Sequence, residues 1–538
     1  MTILPRLKEY GFADGVFTVG RTIKLCGDAS DLTTGSNLIR EYFSSYNVPA
    51  VFTDDEREAS IIAKKITDDA RRIGYYEAEV RPNRITVRYT DASSFRNAAA
   101  TLIALLYRNG NFYIDCCDIE DYANYAYRGY MLDLARKYVG IDEIRQQIVL
   151  LARAKFTVLH LHLLDTERYA IVSEAVPALN ENPLFRQYTK DEMRGLVEYA
   201  SSLGITIIPE IDLPGHGLYL LEKLPETRCV KDGEKIGIWD MCVAAEETYR
   251  YVDLLVGEIV GIFPSEYIHL GGDELSFYDM KDSGYWPNWY ECDRCKALAE
   301  KEGFTSASDY YCYFVRRVYD IVKNHGRKLM IWNDSIDISK SPDLPRDILI
   351  HFWRVAVETR GPHDGCSMQR FLEEGFKVVN SFYEELYADE YIVEERFAKW
   401  VPSSSPECAD KYSGGIVGAE ICAWGVRNHF DYTLPVNLLI FADRAYRGGE
   451  LSLPEARAAL VKQLVSDEKG FVNVFDLLGG AIMPLDGIKK YLPQATSDRK
   501  QVEEAIEKLT RRIIEGRGNH AFLRGIIDCL EQLRNDLK

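Results

Sequence analysis

Between Arg128 and about Arg447 two apolar patterns alternate along the chain. Short runs rich in Ile, Leu and Val occupy 129–134, 157–164, 205–211, 267–270, 329–332, 348–353, 377–381 and 416–421. Their continuous apolar character predicts strands buried on both faces. The segments between them carry the three-to-four residue spacing of amphipathic helices, as in Ile141, Ile144, Ile148, Leu151 and Ala152. Thr189-Lys-Asp-Glu192 reads as a capping box opening one such helix, with Gly204 as its stop. Eight strands, each followed by a helix, predict an α/β fold, a (β/α)8 TIM barrel over 127–450.

The flanks read differently. Alternation from Glu79 to Tyr89 predicts a hairpin turning at Pro82-Asn83, followed by a helix over 94–106 and a strand near 112–114. Residues 1–126 are therefore expected to form a small α+β domain. After Pro454 the pattern is mostly helical, notably over 500–514 and 521–537, which predicts a helical C-terminal extension over 451–538.

Composition narrows the function. Lys and Arg number 65 against 83 Asp and Glu, a net charge of −18 that disfavours nucleic acid and anionic membrane as partners. No run approaches the ~18 apolar residues of a membrane span. The first residues lack the basic-then-apolar order of a signal peptide, so a cytoplasmic location is expected. Twelve cysteines are scattered, and the one suggestive spacing is Cys292-Asp-Arg-Cys295. Tetrahedral zinc needs four ligands, and no second CxxC or close His pair accompanies it, so no metal is expected.

In such a barrel the chemistry gathers at the C-terminal strand ends. There the sequence places Asp133 and Arg136, then Asp165, Asp212 and His216, the adjacent Asp273-Glu274, Trp332, Trp353, Tyr387, Asp389 and Trp424. Each alone has an ordinary structural explanation; the whole set at matching ends does not. Aromatic faces suit a pyranose ring, and Arg with carboxylates suits its hydroxyls. The Gly271-Gly-Asp-Glu274 turn presents two neighbouring acids, one of which repulsion should hold protonated. An ordinary retaining glycosidase needs two carboxyls ~5 Å apart across the scissile bond. Side chains adjacent on a strand diverge, so a substrate-borne nucleophile, a 2-acetamido oxygen, suits this pair better.

These residues resemble glycoside hydrolase family 20, the β-N-acetylhexosaminidases. The resemblance rests on Arg128-Gly-Tyr-Met-Leu-Asp-Leu-Ala-Arg136, His160-Leu-His-Leu-Leu-Asp165, Ile208-Pro-Glu-Ile-Asp-Leu-Pro-Gly-His216, His269-Leu-Gly-Gly-Asp-Glu274, Met330-Ile-Trp332 and Gly418-Ala-Glu-Ile-Cys-Ala-Trp424. Cys292-Asp-Arg-Cys-Lys-Ala-Leu also resembles a stretch of these enzymes, which argues further against a metal. The resemblance implies a zincin-like, non-catalytic N-terminal domain. It implies Glu274 as general acid and base, Asp273 orienting the acetamido nitrogen, and Tyr387 donating to the acetamido oxygen. Trp332, Trp353 and Trp424 would wall the pocket, Arg136 and Asp389 would bind ring hydroxyls, and Asp165 with His216 would support Glu274.

Two places depart from the family pattern. Asp165-Thr-Glu-Arg-Tyr-Ala170 replaces the usual Asp-Asp-Gln-Gly-Trp-Arg, and Val426-Arg427 stands where a Glu often binds distal hydroxyls. Glu167, Arg168 or Arg427 are the candidate replacements. The expected function is a retaining exo-β-N-acetylhexosaminidase acting on carbohydrate with a terminal N-acetylhexosamine, with no metal or organic cofactor. A lacto-N-biosidase-like or β-N-acetylgalactosaminidase specificity is the alternative within that chemistry. A non-catalytic glycan-binding relative and an unrelated barrel hydrolase or lyase are the alternatives outside it. A homodimer is left open.

Overall fold

The computed structural model describes residues 3–354 apart from 45, 110, 182–185, 276–287, 337 and 339–342, then 367–388, 400–403, 414–425 and 430–449. Beyond these it describes 451, 459, the helix Arg499–Ile514 and three single positions near the C-terminus. Most of the expected C-terminal helical extension, including all but three positions of 521–537, lies outside the described residues.

The N-terminal part is an eight-stranded mixed sheet covered by the helices Ala29–Ser44 and Ala92–Leu105. Strands Ile73–Arg81 and Arg84–Tyr89 pair antiparallel with Arg81 opposite Arg84, so the hairpin turns at Pro82-Asn83 as the alternation predicts. The second helix is capped by Asp91, whose side chain accepts from the Ser94 backbone N–H while the Ser94 hydroxyl answers the Asp91 N–H. The strand expected near 112–114 is longer, Asn111–Ala123, and pairs with Glu9–Thr18 at the sheet edge. That edge strand was not legible: its side chains are largely exposed and do not alternate.

Eight parallel strands then close a barrel: Tyr127–Asp133, Val158–His162, Thr206–Glu210, Tyr267–His269, Lys328–Trp332, Leu349–Phe352, Lys377–Asn380 and Ile416–Ala423. They coincide with the eight expected strands, and the last pairs with the first to complete the ring. Helix Ile141–Arg153 buries Ile144, Ile148, Leu151 and Ala152, the predicted stripe. Helix Lys190–Ser202 begins at the Thr189–Glu192 capping box, and Gly204 beyond its end adopts φ +74°.

Register fixes the site. His162 lies level with Asp133 on one side and Glu210 on the other, Glu210 with His269, and Trp332 with His351. The barrel interior is therefore not wholly apolar. His160, Glu210, His269, His351 and Glu420 are fully buried there, with His160 Nδ1 2.8 Å from Glu420 and Tyr127 donating to Glu420 at 2.6 Å. Glu420 accepts from Tyr127 and meets His160, and Glu210 meets His162 and accepts the Trp332 indole N–H, the pairing under which buried carboxylates are tolerated.

Candidate active site

The acid pair lies beyond barrel strand four, in a loop and not on the strand itself. The chain leaves His269 through Gly271 and Gly272 at φ +76° and +88°, and Glu274 is also left-handed at +48°. No other residue type fits the two glycines. A Cβ at 271 would lie 2.0 Å from Asp212 Oδ1, and one at 272 would lie 1.9 Å from the Tyr311 hydroxyl. Asp212 Oδ1 accepts the Gly272 N–H at 2.9 Å, and Asp334 Oδ2 accepts the Glu274 N–H at 3.1 Å, so the turn is held from both sides. A non-glycine residue held at positive φ costs about 1–3 kcal/mol and is retained where neighbours over-determine it.

Because of this turn the two carboxylates do not diverge as strand neighbours would. Both converge on one imidazole: His216 Nε2 is 3.8 Å from Asp273 Oδ2 and 3.7 Å from Glu274 Oε2, with Asp212 Oδ2 at 4.0 Å. Asp273 is buried, whereas the Glu274 side chain is 47% exposed. Burial raises the Asp273 carboxyl well above the usual range, and the nearby Asp212 raises it further. Asp212 itself is pushed up to about 7, chiefly by burial. The carboxyl of the pair that is held up is thus Asp273, the one removed from water. Asp273 Oδ1 is buried and has no hydrogen-bond partner among the described residues.

Behind the imidazole runs a continuous relay. His216 Nδ1 meets Asp165 Oδ1 at 3.1 Å, and Asp165 Oδ2 meets His162 Nε2 at 2.7 Å. His162 Nδ1 meets Glu210 Oε2 at 2.6 Å, and Glu210 Oε1 accepts the Trp332 indole N–H at 2.7 Å. Burial opposes the charging of His216, but Asp165 and Asp212 outweigh it and hold its pKa well above the ordinary value. Asp165 is likewise held low against its burial by His216 and Arg136. Arg136 is largely buried, reaches Asp165 and lies 3.3 Å from Asp133 and 3.7 Å from Glu167.

The facing wall is aromatic. Trp332, Trp353 and Trp424 form one cluster with Met131 and Cys422, against which Tyr383 and Tyr387 pack. Trp353 stacks parallel to Tyr387, with ring centres 6.0 Å apart, and its indole N–H donates to Asp334 Oδ1 at 2.9 Å. The Tyr387 phenol is raised well above its ordinary pKa, mainly by burial, with Asp273 and Glu274 adding to the effect. It therefore remains a hydrogen-bond donor. Arg136 lies over the Trp424 ring at 5.3 Å, closing the circuit between charged and aromatic sides.

Sequence comparison decides the family. Residues 125–415 match the catalytic domain of glycosyl hydrolase family 20, and residues 1–122 match domain 2 of that family. The chain belongs to glycosyl hydrolase family 20. It is 27% identical over 444 residues to a β-hexosaminidase of Vibrio furnissii, covering 77% of this chain and 68% of that one. It is 28% identical over 331 residues to the β-hexosaminidase α subunit of Mus musculus, covering 59% of this chain and 58% of that protein. The fold resembles the exo-β-N-acetylglucosaminidase of Vibrio harveyi, solved with N-acetylglucosamine. That match has a TM-score of 0.71 and 22% identity, and covers 89% of this chain and 77% of that one.

In this family 20 chain the structure gathers Asp165, His216, Asp273, Glu274 and Arg136 around one point, with Trp332, Trp353, Trp424 and Tyr387 in the adjoining wall. Asp389, Val426 and Arg427 lie outside the described residues. Arg168 does not serve the site. It is fully buried, and its guanidinium donates to backbone carbonyls, among them Ala135 and Arg186. Ala170 is buried too, its N–H bonded to the Leu163 carbonyl, so that position carries no group toward a sugar. Trp289, just ahead of helix Asp293–Glu302, is core, its indole N–H donating to the Met241 carbonyl at 2.9 Å.

Several site residues escaped the sequence reading. Trp239 donates to the Glu274 carbonyl at 3.0 Å and lies 4.7 Å from the His216 ring, but its loop has no periodicity to mark it. Asp334 follows Trp332 by two positions and could have been flagged as one more acid at a strand end. His162 and Glu210 looked like strand interior. Cys229, Cys242, Cys292 and Cys295 also come together, all buried. The expectation of no metal rested on the absence of a second nearby pair, and the fold supplies that pair from a distant segment.

Proposed function

We propose that the chain is a retaining exo-β-N-acetylhexosaminidase that releases terminal β-linked N-acetylglucosamine by substrate-assisted hydrolysis. One observation carries this reading. The two carboxylates share one buried imidazole and differ sharply in exposure, which equips them for different tasks. Glu274, open to solvent, protonates the leaving oxygen and later activates water. Asp273, buried with a free Oδ1, accepts the acetamido N–H and aims the acetamido oxygen at the anomeric carbon. Tyr387 donates to that oxygen, and the tryptophans enclose the N-acetyl group. The activity named for the Vibrio and mouse relatives, and the sugar in the Vibrio harveyi structure, agree with this assignment.

The test is turnover of nitrophenyl N-acetyl-β-glucosaminide and N-acetyl-β-galactosaminide beside the β-glucoside. The acetamido substrates should be cleaved and the glucoside left intact, with strong inhibition by a thiazoline mimic of the cyclic intermediate. Equal cleavage of the glucoside would remove the need for an acetamido nucleophile and overturn the mechanism. Tight binding of chito-oligosaccharide without turnover would instead mark a glycan-binding relative.

A further inference from the structure

Cys229, Cys242, Cys292 and Cys295 come from three separate stretches of chain. Cys229 starts a two-stranded hairpin, Cys229–Lys231 against Glu234–Ile236. Cys242 lies in the loop ahead of helix Glu246–Val260, and Cys292 and Cys295 flank the start of helix Asp293–Glu302. All four are fully buried, and their sulfurs lie within 4.8 Å of one another. Cys242 Sγ is 3.7 Å from Cys292 Sγ and 3.5 Å from Cys295 Sγ.

These separations choose between the chemistries open to four thiols. A disulfide requires ~2.05 Å between sulfurs. Four sulfurs at the ~2.3 Å zinc–thiolate distance in a tetrahedron stand about 3.8 Å apart along every edge. The observed distances fit the second. Buried cysteines serving only as small apolar groups would pack against carbon. Here each faces the other three, drawn from segments with no sequence reason to meet. The surroundings also suit anionic sulfur. The Val230 N–H points to Cys292 Sγ at 3.5 Å, and Arg294, between the two helix cysteines, donates to the Arg228 carbonyl at 2.6 Å, next to Cys229.

We propose that Cys229, Cys242, Cys292 and Cys295 bind a structural zinc ion as a tetrathiolate. The ion ties the loop after barrel strand three to the loop after barrel strand four. The tie matters because the segment between Cys229 and Cys242 braces the active site. Trp239 holds the Glu274 carbonyl, the Trp239 carbonyl accepts the Gly217 N–H at 2.8 Å, and the Met241 N–H donates to the Pro214 carbonyl at 2.9 Å. The turn carrying His216 and the residue carrying the reactive carboxyl are thus both anchored next to Cys242. The zinc fixes the brace and touches no reacting atom.

The full chain, purified without chelator, should contain one equivalent of zinc by elemental mass spectrometry. Its zinc-edge X-ray absorption should show four sulfurs at about 2.3 Å. A mercurial reagent should release that zinc in step with modification of the cluster thiols, and the stripped protein should melt at a lower temperature until excess thiol removes the mercury and zinc is restored. Cys242→Ser should lose the zinc, and Cys26→Ser, outside the cluster, should keep it. The absorption spectrum requires only wild-type protein, so the test stands if Cys242→Ser fails to fold. Metal-free protein with unchanged melting, a disulfide among the four, nitrogen or oxygen ligands, or iron in place of zinc would each overturn the assignment.

Discussion

Two buried ionic clusters in this molecule use the same ingredients to opposite ends. One lies between the N-terminal sheet and the barrel. There Asp121 Oδ2 accepts from Lys155 at 2.7 Å, Tyr76 at 2.9 Å and Tyr446 at 3.0 Å, while its Oδ1 accepts the Lys8 N–H at 3.1 Å. Both carboxylate oxygens of Asp121 are engaged, and the cluster joins the sheet, the turn after helix Ile141–Arg153 and helix Phe430–Tyr446. The other lies at the barrel mouth, where His216 serves three carboxylates at 3.7–4.0 Å and Asp273 Oδ1 is left over. A saturated cluster is a fastener. An unsaturated one retains binding capacity, at the cost of the desolvation that raises Asp273 and Asp212.

The strongest way to break the comparison is Glu274→Gln. The side chain is half exposed and its loss leaves no buried charge, so the fold should persist while kcat falls at least ~10²-fold, the scale of general acid catalysis. Normal turnover by a well-folded variant would remove Glu274 from the mechanism. At the fastener the result should be inverted. Lys155→Met strands Asp121 and should cost about 3–5 kcal/mol of stability, while kcat per folded molecule stays unchanged. Replacing Lys155 and Asp121 together by apolar residues should recover much of that loss, which chemical denaturation can read.

The pH response sharpens the contrast. On the proposed mechanism Asp273 accepts the amide N–H as a carboxylate, and its pKa is raised by burial and by Asp212, itself near 7. So kcat/KM should rise with pH through the titration of this coupled pair. Asp212→Asn removes the repulsion and should move that limb to lower pH; an unmoved limb would show that another group controls it. The sign for stability is opposite. Groups whose folded pKa is raised bind more protons in the native state, so the pair favours the fold as pH falls from its raised values toward the ordinary carboxylate range. The smallest expected effect is Trp239→Phe, which removes one hydrogen bond to the Glu274 carbonyl. It should lower kcat by a few-fold, the worth of about 1 kcal/mol, with little change in KM.

The barrel was legible because its signals are local. Apolar runs, the Thr189–Glu192 capping box and the stripe from Ile144 to Ala152 each specify their element within a dozen residues. The acid pair, His216 and the three tryptophans were legible because barrel topology assigns function to strand ends. The geometry among them was not. Asp273 and Glu274 converge only because Gly271, Gly272 and Glu274 turn left-handed together, which no strand-based reading anticipates. The relay through His162 and Glu210 needs inter-strand register, and the four cysteines need loops from two different strands. What sequence leaves unread here is contact across the barrel.

The exposure of Glu274 carries one further consequence. On the proposed mechanism, the proton that Glu274 gives to the departing alcohol comes back to it from the attacking water. That water must reach the carboxylate once the aglycone has left. Glu274 stands with 47% of its side chain in solvent while its partner Asp273 is enclosed. On that mechanism the open side of Glu274 is the side from which the hydrolytic water arrives, and the proton balance closes within each turnover.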